Sequence, residues 1–376
     1  MAAFEPYGLG YRVTLEKYAL TVGVDRLTER SGQTYGELTV EQAPAGHVLR
    51  AYVSLSSIRD RKTLSDTLSD RVPGPPWEAL LERFFLDVLD RERSADEIVN
   101  VGQAEPRPEV DFMLRPFLVA DVPTILYARE GTGKSTLAAA VAASVAAGIG
   151  FLDGWTVSKP SNVLVLDWEA DARAWNDNLV AVSAAFLPSV PSGVFYQRMS
   201  GSLPDNIYNV AAAIEEYKAG LVIIDSVTMA SPKGGSGADA SESATQLFKA
   251  IRHLGVTTLL IDHVNKASGK DAADRPYGSV FKPALARATY ELRVDEERLD
   301  GNLSTPEGES WLVLVHTKAN LTAKQYPVHL TQSRLPGIIS YAEINLLAGK
   351  PPKSDVPGDT GQDQYEQSTW SGRLGT

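Results

Sequence analysis

The residue types best suited to chemistry lie in one continuous run. Thr124 to Tyr127 reads as a short apolar strand. It leads into Ala128-Arg129-Glu130-Gly131-Thr132-Gly133-Lys134-Ser135, and Thr136 then opens an alanine-rich helical stretch. A strand, a glycine-rich turn ending in Gly-Lys-Ser and a helix are the context of a phosphate-binding loop, the Walker A motif. Its glycines let successive backbone N–H groups turn inward around phosphate oxygens, and the helix N-terminus adds partial positive charge. In such a loop Lys134 reaches the β- and γ-phosphates and the Ser135 hydroxyl ligates Mg²⁺. Ala128 to Thr136 is therefore the candidate nucleotide-binding segment. Ala128 stands where the motif has its first glycine, and its methyl group limits positive φ while leaving the Gly131–Ser135 part intact. The plainer reading is a glycine-rich turn before a helix.

Three further apolar runs deliver polar residues at their ends. Gly220 to Asp225, followed by Ser226, has the form of a Walker B strand, with Asp225 placed to hold Mg²⁺ through water. Asn162 to Asp167 continues into Trp168-Glu169, two acids at the C-terminal end of a buried strand, where open α/β sheets bind their ligands. Glu169 is the candidate for orienting and deprotonating an attacking water, with Asp167 as the competing acid; the plainer role for Glu169 is a surface acid capping the next helix. Thr257 to Asp262 ends in His263-Val264-Asn265-Lys266, so His263 sits where a γ-phosphate contact would be read and passed to the following loop. His47, His253, His316 and His329 lack metal-ligand spacing and are taken as structural.

The elements that must position these residues follow from length and pattern. At 376 residues the chain has room for about two domains. Its 43% hydrophobic and 22% charged content is that of a folded globular chain. Zero cysteines exclude disulfides, thiolate metal sites and cysteine nucleophiles, and fit a cytoplasmic setting. The net charge of −11 argues against a surface that coats nucleic acid or anionic membrane as a whole. Ser135 to Leu152 is uncharged but mostly small residues, so it reads as a helix inside the protein and no membrane partner is expected.

Residues 1–108 read as an α+β accessory or docking domain. Val13 and Leu15 alternate with polar residues, as do Leu38 and Val40, with Ser31-Gly32 as a turn signal between them; Val48 to Leu55 is a third strand candidate. Two helices follow, the second marked by Pro75-Pro76 and by Trp77, Leu80, Leu81, Phe84, Phe85, Val88 and Leu89 at helical spacing. Gly102 to Glu109 is a Pro-rich polar linker. Residues 109–347 alternate apolar strand-like runs with helical stretches, which predicts an α/β fold with a mostly parallel sheet. Residues 348–376 have the composition of a flexible tail.

With GTGKS, DWE, IIDS, DHVNK and GSVFKPALAR in this order, the chain from about Phe112 to Leu347 resembles the RecA-fold ATPases. It is most similar to the RepA-like branch of hexameric replicative helicases and their phage and plasmid relatives; SLSSIRDR also looks like part of the leader domain of such phage-type ATPases. The resemblance implies a RecA-like P-loop core that binds ATP with Mg²⁺, with Lys134, Ser135 and Asp225 at the phosphates and metal, Glu169 as general base and His263 as sensor. It places Arg287 as an arginine finger reaching a neighbouring subunit. Lys318 matches the first member of a Lys-x-Arg pair that acts across the interface, and Asn320 replaces the second, which leaves Arg287, Lys318 or both as the charge supplied in trans. A finger in trans requires a head-to-tail homo-oligomer, by resemblance a hexameric ring. Single-stranded DNA would meet the loops 230–241 and 264–279. Lys266, Lys270 and Arg275 oppose Asp271 and Asp274 in the second, and the plainer reading of both is mobile active-site loops. The leading expectation is a helicase-like motor. The alternatives are a nucleotide-switched assembly or loader protein, with a replication protein docked on 1–108, and a recombinase-type DNA-binding ATPase.

Overall fold

Alternation of apolar and polar residues builds an antiparallel meander first. Strands β1 (Phe4–Tyr7), β2 (Gly10–Leu15), β3 (Leu20–Arg30), β4 (Gln33–Gln42) and β5 (Gly46–Ser54) pair in chain order. The sequence reading placed three strands here. It includes neither β1 nor β3, although in β3 Leu20, Val22 and Val24 alternate with Thr21, Gly23 and Asp25. The turn signal accordingly closes β3 onto β4, where Gly32 adopts φ +74. One face of the meander is covered by α1 (Ile58–Arg71) and α2 (Trp77–Arg93). Ser57 caps α1 by accepting from the backbone N–H of Asp60. Helix α2 starts after Pro76 and buries Trp77, Leu81, Phe84, Phe85, Val88 and Leu89 against the sheet; each such side chain contributes about 2–3 kcal/mol. The buried Trp77 indole N–H is satisfied by the Val72 carbonyl at 2.9 Å.

The computed structural model describes residues 4–7, 9–30, 32–94, 100, 102, 109–232, 238–265, 275–276, 281–295 and 307–344. The linker expected at 102–109 and the tail expected at 348–376 lie largely or wholly outside these residues. The meander module keeps an apolar core of its own, yet it touches the larger module: the Tyr208 hydroxyl donates to the Leu27 carbonyl at 3.1 Å and Arg26 donates to Asn209 at 3.3 Å.

The second module is built on one large sheet. After the small strands β6 (Phe112–Arg115) and β7 (Leu118–Val119) come β8 (Pro123–Ala128), α3 (Lys134–Ala147), β9 (Thr156–Val157), β10 (Asn162–Asp167), α4 (Ala172–Phe186), β11 (Val194–Arg198) and α5 (Leu203–Tyr217). They are followed by β12 (Ala219–Asp225), α6 (Val227–Ala230), α7 (Ala238–Leu254), β13 (Thr257–Asn265), β14 (Arg275–Pro276) and α8 (Phe281–Leu285). The last strands are β15 (Ala288–Val294), β16 (Glu309–Ala319), β17 (Val328–Leu335) and β18 (Ile338–Glu343). The sheet order is β11-β10-β12-β13-β8-β15-β16-β17-β18, parallel as far as β15 and antiparallel beyond it. The phosphate-loop strand β8 is separated from the Asp225 strand β12 by β13, and this is a RecA-like α/β sheet.

Helices cover both faces, which is why the parallel strands read as continuous apolar runs. Leu126, Val163, Val165, Leu221 and Ile223 pack on the face that carries α3 and α4. Ile125, Leu164, Leu166, Val222 and Ile224 pack on the face that carries α5 and α7. The alanines of α3 allow close helix–sheet approach, and the helix stops at Gly148 with φ +75. No helix among the described residues is long and apolar enough to cross a membrane.

Candidate nucleotide-binding site

Strand register brings the chemistry together. Asp167 pairs with Asp225 across β10 and β12, Asp225 with Ile261 across β12 and β13, and His263 with Ala128 across β13 and β8. Every polar tip singled out in the sequence therefore emerges at the same end of the sheet, where the loop 128–134 turns into α3. Ala128 explains its departure from the motif: it is the last residue of β8, fully buried and extended, so that position needs no glycine. Positive φ falls instead on Gly131 at +75° and Gly133 at +97°, which orient the loop amides inward. Arg129 and Glu130 lie exposed on the loop. The Thr132 hydroxyl donates to the Arg129 carbonyl at 2.8 Å.

Lys134 and Ser135 leave the first turn of α3 toward the strand tips. The Lys134 ammonium donates to the carbonyls of Ala128 and Arg129 at 3.0 and 3.1 Å and lies 3.5 Å from His263 Nδ1. Burial lowers its pKa, an effect opposed by Asp225 and Glu169. The Ser135 hydroxyl donates to Asp225 at 2.8 Å. Burial raises the Asp225 pKa to about 6, the Ser135 hydrogen bond lowers it, and the neighbouring charges of Asp167 and Glu169 raise it again. Added positive charge would relieve this crowd of carboxylates, and a serine hydroxyl with a carboxylate is the hard oxygen donor set that Mg²⁺ takes. Among the described residues no group of three His, Cys, Asp or Glu could hold a metal alone. Protein oxygens completed by phosphate and water would suit Mg²⁺ here.

The two acids at the end of β10 are used differently. Asp167 is fully buried, and its Oδ1 accepts the backbone N–H groups of Glu169 and Ala170 at 2.7 and 3.0 Å while Oδ2 accepts from Tyr196. It holds the turn that presents Glu169. Glu169 is exposed, accepts a hydrogen bond from the Ser226 hydroxyl and lies 3.3 Å from His263 Nε2. One line of contacts thus runs from Lys134 through the His263 ring to Glu169 and Ser226.

His263 is itself braced from behind. Asp262, fully buried, accepts from the His263 backbone N–H at 3.0 Å and from the Thr228 hydroxyl at 3.1 Å, and pairs with Lys282 of α8 at 3.1 Å. Burial pushes the Asp262 pKa up and the Lys282 charge pulls it down.

Arg287 and Lys318 lie elsewhere. The Arg287 backbone N–H donates to Pro123 and Lys318 pairs with Thr289, so both sit at the opposite end of β8 from the loop. Arg287 is exposed. Lys318 donates to the carbonyls of Pro283, Ala284 and Ala286 at 2.6, 2.9 and 2.8 Å, so its charge closes the C-terminal end of α8. Of the loops 230–241 and 264–279, residues 233–237, 266–274 and 277–279 lie outside those described; α7 already begins at Ala238, inside the first loop, and β13 runs to Asn265. The histidines set aside as structural include His316, stacked on Tyr290 at 4.2 Å, and His329, paired with Asp295 at 2.7 Å.

Sequence reasoning missed Ser226, the Asp262–Thr228–Lys282 brace, and Gln332 and Arg334 of β17. Ser226 directly follows Asp225, so adjacency could have found it. Nothing local in the sequence ties Arg334 to Thr136, 198 positions away.

Comparison with known proteins gives a domain match and a structural likeness. Residues 90–269, just under half of the chain, match the family model described as an AAA domain. No curated protein matches. Among solved structures, a KaiC-like protein from the hyperthermophilic archaeon Pyrococcus horikoshii is similar at 15% identity and a TM-score of 0.44, covering 62% of this chain and 94% of that one. The domain match and the Walker-type site on a RecA-like sheet support a nucleotide-hydrolysing P-loop ATPase.

Proposed function

We propose that this chain is an ATP-driven, oligomeric motor acting on nucleic acid, of the replicative DNA helicase type. The observation that supports it most is the line Lys134–His263–Glu169 beside the Ser135–Asp225 pair, because these are parts for turnover and not for binding alone. ATP would lie along Ala128–Thr136 with Lys134 at its terminal phosphates. Ser135 and Asp225 would hold Mg²⁺, which supplies positive charge at the phosphates when bound. Glu169 takes the proton of the water whose oxygen bonds the γ-phosphorus as the bond from that phosphorus to the β–γ bridging oxygen breaks, and phosphate and ADP depart. His263 touches both Lys134 and Glu169 and so reports whether the γ-phosphate is present.

Arg287 fits a role in a neighbouring subunit. The length of β8 sets it roughly 17 Å from its own phosphate loop, beyond the reach of an arginine side chain. A head-to-tail ring, a hexamer by resemblance, would bring it to the next site. With Lys318 engaged by α8, Arg287 is the better finger. Single-stranded DNA would meet the loops 230–241 and 264–279 facing the channel. Residues 1–108 would form the docking domain, 109–347 the motor and 348–376 a tail.

The test is steady-state ATPase activity with and without single-stranded DNA, with Glu169→Gln as control. Stimulation by DNA, lost in the variant while nucleotide binding persists, is the expected result. Turnover indifferent to DNA would instead favour a nucleotide-switched assembly or loader protein, a reading that the separate core of the meander module and the net charge of −11 recommend.

A further inference from the structure

The hairpin β17–β18 brings a further cation to the phosphate loop, besides its own Arg129 and Lys134. Tyr341 and Gln332 are joined by a 2.6 Å hydrogen bond, and Gln332 is 2% exposed. Gln332 Oε1 in turn accepts from Arg334 Nε at 3.1 Å, and Arg334 Nη2 donates to the Thr136 hydroxyl on the first turn of α3 at 3.4 Å. The guanidinium is thus aimed by two neighbours and rests against the start of the helix. A Cβ placed on Gly133 would lie 3.2 Å from Gln332 Nε2 and 3.9 Å from Arg334 Nη2, so this strand covers the loop directly.

The charges do not balance as they stand. A helix N-terminus carries partial positive charge and repels a cation. Arg334 has no carboxylate ion pair among the described residues, although the chain carries 47 acidic residues against 36 basic ones. An anion at the loop would reconcile the two positive groups. The guanidinium also lies on a definite side. Lys134 and Ser135 point toward His263 and Asp225, whereas the Thr136 side chain faces Asn178 of α4 and Arg334.

We propose that Arg334 is a nucleotide-binding residue acting in its own subunit, its guanidinium contacting a phosphate oxygen on the Thr136 side of the loop, away from the γ-phosphate. The proposal rests on the nucleotide-binding reading above. Gln332 and Tyr341 are positioning residues for it. Because the contact lies on the Thr136 side and not on the side where Lys134 meets His263, it holds di- and triphosphate alike.

Calorimetric titration of the full chain with Mg-ADP and with Mg-tripolyphosphate, which has no nucleoside, tests this. Arg334→Ala is expected to weaken both ligands about tenfold or more, the usual scale for a lost charge-assisted hydrogen bond. Arg334→Lys should recover part of the loss through charge alone. Arg334 is exposed, so its removal leaves core packing intact. Weakening of ADP but not of tripolyphosphate would overturn the phosphate contact in favour of one to the nucleoside. Unchanged affinity for both would overturn the proposal outright, provided Lys134→Ala abolishes binding in the same assay. Unchanged binding in Lys134→Ala would instead sink the nucleotide-site reading itself.

Discussion

The two ends of the parallel strands hold their charges in opposite ways. At the C-terminal end Lys134, His263, Glu169, Ser226, Ser135 and Asp225 contact one another, and Asp167 and Asp262 brace them from beneath. At the N-terminal end Arg287 is exposed, with no ion pair among the described residues, and Lys318 turns inward onto three carbonyls of its own chain. One end is assembled within the chain, while the other presents an exposed cation with no carboxylate partner among the described residues. Two neighbouring cations can therefore have different duties: one reaches outward and one holds the fold.

The largest effect should come from the outward-facing cation. If Arg287 completes a neighbour's site, Arg287→Ala lowers ATP turnover by about 10³-fold or more while nucleotide affinity stays unchanged. Mixing it with Lys134→Ala should restore part of the activity, because the intact active site of the first variant then meets the intact arginine of the second. Loss of turnover without restoration on mixing would show that Arg287 does not act across an interface, and the contrast between the two ends would fail.

The next test probes the assembled end. Burial raises the Asp225 carboxyl from an ordinary value of 3.8 to about 6, so between these pH values the folded chain binds a proton that the unfolded chain has lost. Stability from this group therefore falls as pH rises from about 4 to 6, and the full cost above pH 6 is about 3 kcal/mol. Asp225→Asn, which keeps an oxygen for the Ser135 hydroxyl, should be more stable than the parent at pH 8 and nearly equal to it at pH 4 in urea unfolding with EDTA and no nucleotide. ATPase activity should be lost in the same variant. Equal destabilisation at both pH values would mean that Asp225 is not held against an electrostatic cost.

The two ends also differ in how far the sequence revealed them. The assembled end was legible because each polar residue terminates an apolar run of buried-strand type, and parallel strands align their C-terminal tips. Glu169 could be preferred over Asp167 only by role. The structure adds the physical reason: the carboxylate nearest the strand is spent on the backbone N–H groups of Glu169 and Ala170. Contacts made by the antiparallel strands were not legible. Register in β17 decides that Gln332 and Arg334 meet Gly133, and no local pattern encodes which loop a hairpin will cover. The strand β3 was missed for a different reason. Its alternation is regular only as far as Asp25, after which Arg26 at φ +52 and a register shift break the period.

The smallest effect is expected for Lys318, and it bears most directly on the comparison. Three carbonyl acceptors and the C-terminal end of α8 favour its charge. Burial and the like charge of Arg287 push its pKa down and offset part of that gain. The balance predicts that Lys318→Met costs only about 1 kcal/mol in urea unfolding near neutral pH, since two of the three carbonyls it leaves belong to residues that are not buried, Pro283 and Ala284. Turnover should fall little, and mixing with Lys134→Ala should change nothing beyond dilution. A variant that kept full stability yet lost turnover, and recovered it on mixing, would move Lys318 to the neighbour's site. Arg287 and Lys318 would then share one duty, and the lysine's three carbonyls would be a resting place it leaves when subunits meet.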